Sequence, residues 1–367
     1  MTSPERRDGF DGSIRPFQNA GRTFDPSACE KIMQVARKGI TSAIGSTPLV
    51  ELSAFFDGAT FRLFGKLEAL NPGGSIKDRP AVKIIERALE TGEIRPGWTV
   101  IESSSGNMGI GLAQACLYYG LKFICVVDPK VTTQNLRLLR AYRAEVVMVS
   151  EPDPMTGEFL QARIDRVRSL LKSIENSFWP DQYSNTYNSI AHYQTMREIV
   201  ERLEREPDYL FCATSTCGTL RGCVEYCREH GLLTTVIPVD AEGSVIFGGP
   251  KRKRLIPGHG AAVIPQLYQP DLADRCVHVN DLGCVVGCRR LVRREGILSG
   301  GSSGAVLMAL DKIKDEIPPG AICVVILPDR GERYIDTIYS DDWVQEQFGD
   351  VAYLWEDVTE RSLMGVA

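Results

Sequence analysis

Short apolar runs alternate with amphipathic stretches along most of this chain, from about residue 40 onward. The apolar runs are nearly continuous, which is typical of strands that are buried on both faces in parallel sheets. Strands that alternate with helices of this length predict an α/β fold with mostly parallel sheets. The predicted strands are at residues 61–66, 99–101, 123–127, 146–149, 209–212, 235–239, 277–279 and 323–327, and the predicted helices are at 80–89, 109–119, 134–142, 158–173, 190–204, 220–230 and 304–314.

The chain has 367 residues, which is more than one hydrophobic core usually holds, so we expect two domains. Residues 1–40 begin polar and charged and continue as a helical pattern at 27–38. We interpret them as an N-terminal extension outside the main fold. The polar start is unlike a secretory signal, and no apolar stretch approaches the ~20 residues of a membrane span. A cytoplasmic protein is therefore expected.

Composition and charge favour a soluble enzyme or binding protein. The chain is 43% hydrophobic and 24% charged, which is typical of a globular protein. A net charge of -5 gives no general attraction to nucleic acids or membranes, so neither is expected as a partner. The basic run 251–254 lies among glycines and prolines, and we interpret it as an exposed loop.

Eleven cysteines are present without the regular spacing of a disulfide framework. Cys212, Cys217, Cys223 and Cys227 cluster, but the gaps between them do not fit paired CxxC zinc sites. His230 follows Cys227 at a possible ligand distance, yet no second tight pair accompanies it. We therefore expect small, buried, reduced cysteines and no metal.

Lys77 stands in the segment 71–79, where it follows a Pro-Gly-Gly break and opens a predicted helix. A lysine with a reference pKa near ~10.4 is a poor nucleophile at neutral pH. It becomes useful as a Schiff base with an aldehyde cofactor, and pyridoxal 5'-phosphate (PLP) is the aldehyde that proteins hold in this way. From this segment alone, a solvated lysine at a helix start is an equally good interpretation.

Three turns rich in hydroxyl groups and glycine stand at strand-to-helix junctions, at residues 102–109, 214–219 and 300–304. Free N–H groups at a helix start, together with hydroxyls, suit a phosphate or a carboxylate. The first turn fits an ordinary helix cap equally well. The second lacks the lysine of a Walker A loop and the GxGxxG spacing. A neutral hydroxyl in the third could bond a ring nitrogen without stabilising its protonated form.

Taken together, these segments resemble the fold-type II PLP enzymes of the cysteine synthase and cystathionine β-synthase family. The matching pieces run in order at residues 44–50, 71–79, 104–109, 215–219, 258–260, 300–304 and 331–334. The resemblance implies a tryptophan synthase β-like α/β fold with two three-layer α/β/α domains, and usually a homodimer. It implies a large PLP-binding domain at 41–84 and 191–345, a smaller mobile domain at 85–190, and a C-terminal tail at 346–367.

The resemblance also implies roles for individual residues. PLP would be the cofactor, with Lys77 as its Schiff-base lysine and catalytic residue. Asn107 would contact the 3'-oxygen of the cofactor, and Ser302 its pyridine nitrogen. The phosphate cup would consist of Ser215, Thr216, Cys217, Gly218 and Thr219. The substrate carboxylate would be bound by Ser104, Ser105 and Asn107, with Gln182 as a further substrate-binding residue.

Within the family, four runs resemble those of enzymes that join O-phospho-L-serine to L-glutamate: 125–130, 181–185, 243–248 and 326–331. Such enzymes replace the phosphate by way of an aminoacrylate and give N-(2-amino-2-carboxyethyl)-L-glutamate. That product is a precursor of 2,3-diaminopropionate in siderophore biosynthesis. Met108, Tyr183 and Ser215 stand where sulfhydrylases typically carry threonine, phenylalanine and glycine.

Glutamate, unlike sulfide, needs a cation or donors for its carboxylates. Arg163 is the candidate, because a guanidinium suits bidentate contact with a carboxylate or phosphate; the alternative is a solvated helix-surface arginine. Tyr183 and Ser215 are candidates for substrate contact, although Tyr183 could equally be a core aromatic with a satisfied hydroxyl. His259 departs from the family's usual Gly-Ile-Gly; it could face the cofactor or the solvent, and we assign it no role.

Two other functions fit the same sequence. A cysteine synthase that uses sulfide, with O-phosphoserine or O-acetylserine as donor, would share every cofactor residue. A non-catalytic family member that acts as a binding partner would be free to lose Lys77, Asn107 or Ser302. The presence of all three residues favours an enzyme.

Overall fold

A computed structural model describes residues 39–155, 157 and 159–356. The helix predicted at 27–38 and nearly all of the predicted N-terminal extension lie outside these residues, as do residues 357–367. In chain order the strands are β1 (Leu49–Glu51), β2 (Arg62–Leu67), β3 (Thr99–Ser103), β4 (Lys122–Val127), β5 (Glu145–Met148), β6 (Ser177–Phe178), β7 (Tyr209–Ala213), β8 (Thr235–Ala241), β9 (Val277–Val279) and β10 (Ile322–Leu327). The α-helices are α1 (Asp78–Glu90), α2 (Asn107–Tyr118), α3 (Thr133–Ala141), α4 (Phe159–Ser173), α5 (Thr186–Leu203), α6 (Gly218–Glu229), α7 (Asp281–Glu295), α8 (Gly301–Ile313) and α9 (Asp341–Phe348).

Six strands form one sheet in the order β1-β2-β10-β7-β8-β9. Only the edge strand β1 runs antiparallel to its neighbour, and the other pairs are parallel. Alternate residues of a strand point to opposite faces, and both faces are covered here. Val325 packs with α7 and α8 in one hydrophobic cluster, whereas Val324 packs with α5 and α6 in another.

Four strands form a second, wholly parallel sheet in the order β5-β4-β3-β6. Val100 of β3 packs with α1 and α2, whereas its neighbour Ile101 packs against Val167 and Leu170 of α4. This sheet is therefore also covered on both faces, which explains the continuous apolar run at 123–127 in its central strand β4.

The predicted α/β fold with mostly parallel sheets is confirmed, and each strand and helix predicted within the described residues overlaps an observed one. The sequence prediction missed β1, β6, α7 and α9. The two strands are only two or three residues long. In α7 the glycines argue against a helix, but packing requires one of them: a Cβ on Gly287 would lie 2.3 Å from the Gly304 carbonyl oxygen.

The cysteines in the described part of the chain are all free thiols, and all but Cys276 are buried. The prediction of small buried cysteines is therefore confirmed for these residues. Among the described residues, no helix combines the length and the apolar character needed to cross a membrane.

Candidate active site

The predicted site segments meet at the carboxyl ends of parallel strands. The turn 103–109 follows β3, the turn 214–219 follows β7, and Asp329 follows β10. The segment that leads to Lys77 joins them, because Ser75 bridges to Asp329 and the Ile76 N–H donates to the Pro328 carbonyl at 2.7 Å. In open α/β sheets, ligands bind at this end of the strands.

A tight turn presents Lys77 at the start of α1. Gly74 has a φ of +84°, a left-handed conformation that glycine adopts without strain, and its N–H donates to the Asn71 carbonyl at 2.8 Å. The Gly73 N–H donates to Asp78 Oδ2 at 2.5 Å. The turn is thus closed by backbone bonds and by the first side chain of the helix.

The Lys77 amine makes no hydrogen bond or ion pair with the described part of the chain. Its side chain is half-buried, and burial lowers the pKa of Lys77 to about 8. Cys217, in the predicted phosphate cup, is within electrostatic range of it. A lowered pKa raises the neutral fraction of the amine near pH 7, which a nucleophile or a general base requires.

A buried ionic cluster, made of Lys66, Glu68, Arg79 and Glu198, anchors α1 just after Lys77. Arg79 bonds Glu68 and Glu198 at 2.7 Å each, and Lys66 bonds Glu198 at 2.6 Å. The four side chains are at most 9% exposed. Burial raises the pKa of Glu198, but the bonds and charges of Arg79 and Lys66 outweigh it and lower this pKa to about 2. The cluster is therefore held in its ionised form.

Residues 214–219 form a cup lined with N–H groups where α6 begins. Cys217 has a φ of +63°, and the helix starts at Gly218. A side chain at position 218 would not fit, because a Cβ there would lie 2.3 Å from Asn188 Oδ1. Asn188 Nδ2 in turn donates to Thr216 Oγ1 at 3.1 Å. Successive N–H groups around a left-handed residue make an anion-binding concavity.

His192 closes one side of the cup. Its Nε2 lies 3.3 Å from Thr219 Oγ1, and its Nδ1 lies 3.2 Å from Thr195 Oγ1. Burial, together with the charges of Lys77 and Arg79, holds the pKa of His192 well below its usual value, so the ring is neutral. The sequence prediction missed both His192 and Asn188, because single polar residues inside a helical pattern give no signal.

In the turn 103–109, Ser104 and Ser105 have different environments. Ser104 Oγ accepts from the Gly109 N–H at 3.0 Å, so this hydroxyl acts as a helix cap. Ser105 Oγ lies 3.4 Å from Arg163 Nη1. Asn107, the first residue of α2, is half-buried, and its Nδ2 donates to Asp329 Oδ2 at 2.8 Å. The turn is therefore part cap and part candidate anion site.

Ser302 stands in the first turn of α8 and is 8% exposed. The preceding Gly300 lies against Asp329, since a Cβ at position 300 would be 2.1 Å from Asp329 Oδ1. Asp329 is buried, and burial raises its pKa. The glycine-rich start of α8 thus allows a carboxyl group to lie directly beside the helix that bears Ser302.

Arg163 is only 13% exposed, so the alternative of a solvated surface arginine is wrong. Its Nε lies 3.3 Å from Asp128 Oδ2, and its Nη1 reaches Ser105. Tyr183 is half-buried, and burial raises its pKa against the opposing charges of Arg163 and Arg254. Two arginines therefore lie within electrostatic range of the Tyr183 hydroxyl.

Gln182 is held against the end of β3. Its N–H donates to Glu102 Oε2 at 3.3 Å, and its Nε2 donates to the Ser103 carbonyl at 3.4 Å. Trp179 Nε1 also bonds Glu102, at 3.2 Å. Burial raises the pKa of Glu102 to about 7. The main chain just before Tyr183 is therefore fixed relative to the turn 103–109.

Arg254 and His259 lie closer to the interior than the sequence suggested. Residues 251–253 of the basic run are exposed, but Arg254 is half-buried and donates to the His259 carbonyl at 2.7 Å. His259 is 1% exposed, and neither ring nitrogen has a partner in the described part of the chain. Burial lowers the pKa of His259 to about 3. The histidine is therefore neutral and does not face solvent.

These parts fit PLP. The Lys77 amine is available for an aldehyde, the cup 214–219 offers N–H groups to a phosphate, and Ser302 offers a neutral hydroxyl to a ring nitrogen. Within residues 39–155, 157 and 159–356, His, Cys, Asp and Glu side chains form no group of three or more that could hold a metal ion.

The chain belongs to the family of pyridoxal-phosphate dependent enzymes, whose sequence profile matches residues 40–329. It is 46% identical over 308 residues to N-(2-amino-2-carboxyethyl)-L-glutamate synthase from Ralstonia nicotianae, and the match covers 84% of this chain and 91% of that protein.

Two solved structures share the fold. The hydrogen sulfide-producing enzyme of Fusobacterium nucleatum has a TM-score of 0.76 and 34% identity, with 82% of this chain and 100% of that chain covered. The O-acetylserine dependent cystathionine β-synthase of Helicobacter pylori has a TM-score of 0.76 and 31% identity, with 82% of this chain and 98% of that chain covered. The predictions of a fold-type II PLP enzyme and of PLP as cofactor are confirmed, and the chain is a PLP-dependent transferase.

Proposed function

We propose that this enzyme joins O-phospho-L-serine to L-glutamate. The bond between the β-carbon and the phosphate oxygen of phosphoserine breaks, a bond forms between that carbon and the glutamate nitrogen, and the products are N-(2-amino-2-carboxyethyl)-L-glutamate and phosphate. The observation that carries the proposal is the half-buried Arg163 guanidinium, which lies 3.4 Å from Ser105 in the proposed carboxylate site. The similarity to the Ralstonia nicotianae synthase supports the same reaction.

Several residues would hold the cofactor. We propose Lys77 for its aldehyde, Asn107 for its 3'-oxygen and Ser302 for its ring nitrogen. The phosphate would lie in the cup of Ser215, Thr216, Cys217, Gly218 and Thr219. Bound PLP supplies an aldehyde that condenses with amines and a ring that stabilises negative charge at the α-carbon of an amino acid.

Lys77 would move the proton at the α-carbon of phosphoserine. Its pKa of about 8 lies close to the working pH, where a base can both accept and return a proton efficiently. We propose that Lys77 Nζ removes this proton before phosphate departs and returns it after the new bond forms. The nearby His192 is neutral, so it does not add a second positive charge beside the amine.

The acceptor pocket would recognise the carboxylates of glutamate. Arg163 and Arg254 lie within electrostatic range of Tyr183, and Arg254 forms no ion pair with the described carboxylates. A half-buried guanidinium without a counter-ion favours an anionic ligand. We propose Arg163, Tyr183 and Ser215 as acceptor contacts, with Ser104, Ser105, Asn107 and Gln182 around the substrate carboxylate.

Closure of a smaller mobile domain at residues 85–190 would exclude water during the reaction. We further propose that the enzyme is a cytoplasmic homodimer, which light scattering can test. Its product would supply 2,3-diaminopropionate for siderophore biosynthesis.

The decisive experiment supplies the purified holoenzyme with O-phospho-L-serine and either L-glutamate or sulfide in parallel. Phosphate release is measured together with mass spectrometry of the products. We expect the glutamate adduct to form at a rate well above that of cysteine. Cysteine without the adduct would instead make the protein a sulfhydrylase, which is the second candidate because such an enzyme would use the same cofactor residues.

A further inference from the structure

Both the nitrogen and the oxygen of the Asn107 side-chain amide are bonded by residues that follow β10, a strand of the other sheet. Its Nδ2 donates to Asp329 Oδ2 at 2.8 Å, and its Oδ1 accepts from Arg333 Nη1. Asn107 opens the helix that follows β3, whereas Asp329 and Arg333 follow β10. This group of three side chains therefore connects the two sheets at the site.

The two partners define the orientation of the amide without ambiguity. A guanidinium has only donors, so it must face the amide oxygen, and a carboxylate oxygen next to Nδ2 must accept. Nδ2 carries two hydrogens, and Asp329 takes one of them. The other remains for an oxygen acceptor, which is the role proposed for Asn107 toward the 3'-oxygen of the cofactor.

Asp329 is itself fixed. It is 1% exposed, and its Oδ2 also accepts from the Tyr334 hydroxyl at 2.6 Å. Its Oδ1 lies against Gly300 and has no partner in the described part of the chain. A carboxyl group that is almost fully buried and bonded to Asn107 and Tyr334 is well placed to act on the site through the side chains that it holds.

Arg333 connects the same group to the turn that presents Lys77. Its Nη2 donates to the Gly73 carbonyl, and a Cβ on Gly74 would lie 2.9 Å from it. One guanidinium therefore bonds both Asn107 and the Lys77 turn. A change at Arg333 would disturb two cofactor contacts together.

We propose that Asp329 and Arg333 are positioning residues that hold the Asn107 amide in the orientation needed to bind the cofactor ring. The inference rests on the proposed role of Asn107. It predicts that Asp329 changes the properties of bound PLP only when Asn107 is present, and that the effect of Arg333 is reduced when Asn107 is absent. A double-mutant comparison isolates such coupling, because two residues that act through one contact have non-additive effects.

The test uses the holoenzyme and its variants Asp329→Ala, Asp329→Asn, Arg333→Met and Asn107→Ala, alone and with Asn107→Ala as background. PLP dissociation constants and the visible absorption of the bound cofactor are measured across pH. We expect Asp329→Ala and Arg333→Met to weaken PLP binding about tenfold, which is the effect of losing one charge-assisted hydrogen bond. Both variants should also shift the absorption of the bound cofactor. Asp329→Asn keeps an acceptor for Nδ2 and should restore most of the affinity. Glu332→Gln, an exposed neighbour, is the matched control.

Comparing each variant with and without Asn107→Ala shows whether its effect passes through Asn107. In the Asn107→Ala protein, Asp329→Ala should add less than twofold, and Arg333→Met should keep only the smaller effect that passes through its bond to the Lys77 turn. Effects of equal size in both backgrounds would overturn the positioning role, and so would an unchanged spectrum for both single variants. If Asn107→Ala alone changes neither affinity nor spectrum, the proposed role of Asn107 fails as well, which separates the two failures. Arg333→Met gives an independent result if Asp329→Ala does not fold.

Discussion

The two sheets contribute different kinds of group to the candidate site. At the edge of the six-stranded sheet, main-chain geometry dominates: the left-handed Cys217, the close approach at Gly218 and the turn before Lys77. At the edge of the four-stranded sheet, side chains dominate, and Arg163 and Gln182 are held by Asp128 and Glu102. Main-chain contacts at the first edge suit a ligand that is the same in every reaction. Side-chain contacts at the second edge allow a single substitution to change which ligand binds. We therefore expect changes at the Lys77 turn and the cup to affect all reactions, and a change at Arg163 to affect one substrate.

The largest expected effect is at the first edge, at Lys77. We expect Lys77→Ala to lower phosphate release by at least about 10³-fold with every acceptor, because both the aldehyde anchor and the base are lost. Circular dichroism should show an intact fold. Lys83→Ala, an exposed lysine on the same helix, should keep full activity. Substantial turnover by Lys77→Ala would remove Lys77 from the mechanism.

The second-largest expected effect is on stability, at the buried ionic cluster that anchors α1 just after Lys77. Glu198→Gln leaves Arg79 and Lys66 buried without their shared carboxylate, which should cost about 3–5 kcal/mol in the free energy of unfolding. Denaturant titration measures the loss. Glu201→Gln, an exposed position on the same helix, should change stability by less than about 0.5 kcal/mol.

The same variant has a predicted pH signature. The pKa of Glu198 is about 2 in the fold against an ordinary 4.5, so its ionised form stabilises the protein above about pH 4.5. That contribution is lost as the pH falls from 4.5 toward 2. The stability of Glu198→Gln should therefore fall less steeply across this range, and an identical slope would mean that the ion pairs do not stabilise the fold.

Arg163 tests the second edge. We expect Arg163→Ala to raise the KM for glutamate about 10- to 100-fold, the range for one or two charge-assisted hydrogen bonds, and to leave turnover with sulfide within a few fold. Arg168→Ala, which is 57% exposed on the same helix, should leave both unchanged. Equal losses with both acceptors would move Arg163 from acceptor binding to a general role.

The smallest expected effect is at His259. Its buried ring nitrogens have no described partner, so His259→Ile should stabilise the protein by about 1–2 kcal/mol with activity retained. The pKa of His259 is about 3 in the fold against 6.5 in the unfolded chain, so the unfolded chain binds the extra proton. The natural protein should lose stability as the pH falls from 6.5 toward 3, and the variant should lose less. A less stable variant would contradict the prediction that the unpaired ring nitrogens of His259 destabilise the fold.

Much of this could be predicted from the sequence, because parallel strands and their helices have periodicities that short windows reveal. The glycine-rich turns were also visible, since only glycine and small polar residues fit such close approaches. Contacts between distant segments left no local signal. Asn188 behind the cup is placed by the packing of α5 against α6, whereas Arg254 near Tyr183 and Asp329 beside Asn107 depend on how the two sheets are packed. The burial of His259 was equally invisible, because a histidine between two glycines is usual in exposed loops.

The position of β10 has a consequence for how this protein is made. The last strand in the described part of the chain, Ile322–Leu327, lies between β2 and β7 in the six-stranded sheet. During synthesis on the ribosome, β2 and β7 therefore emerge long before β10, the strand that lies between them. Their edges stay unpaired until β10 has been made. The pairing of β10 with β2 joins residues more than 250 positions apart, and contacts of such long sequence separation form slowly during folding. Truncation before residue 322 should thus remove the centre of the sheet rather than an edge, and a nascent chain of that length should need chaperones to stay soluble.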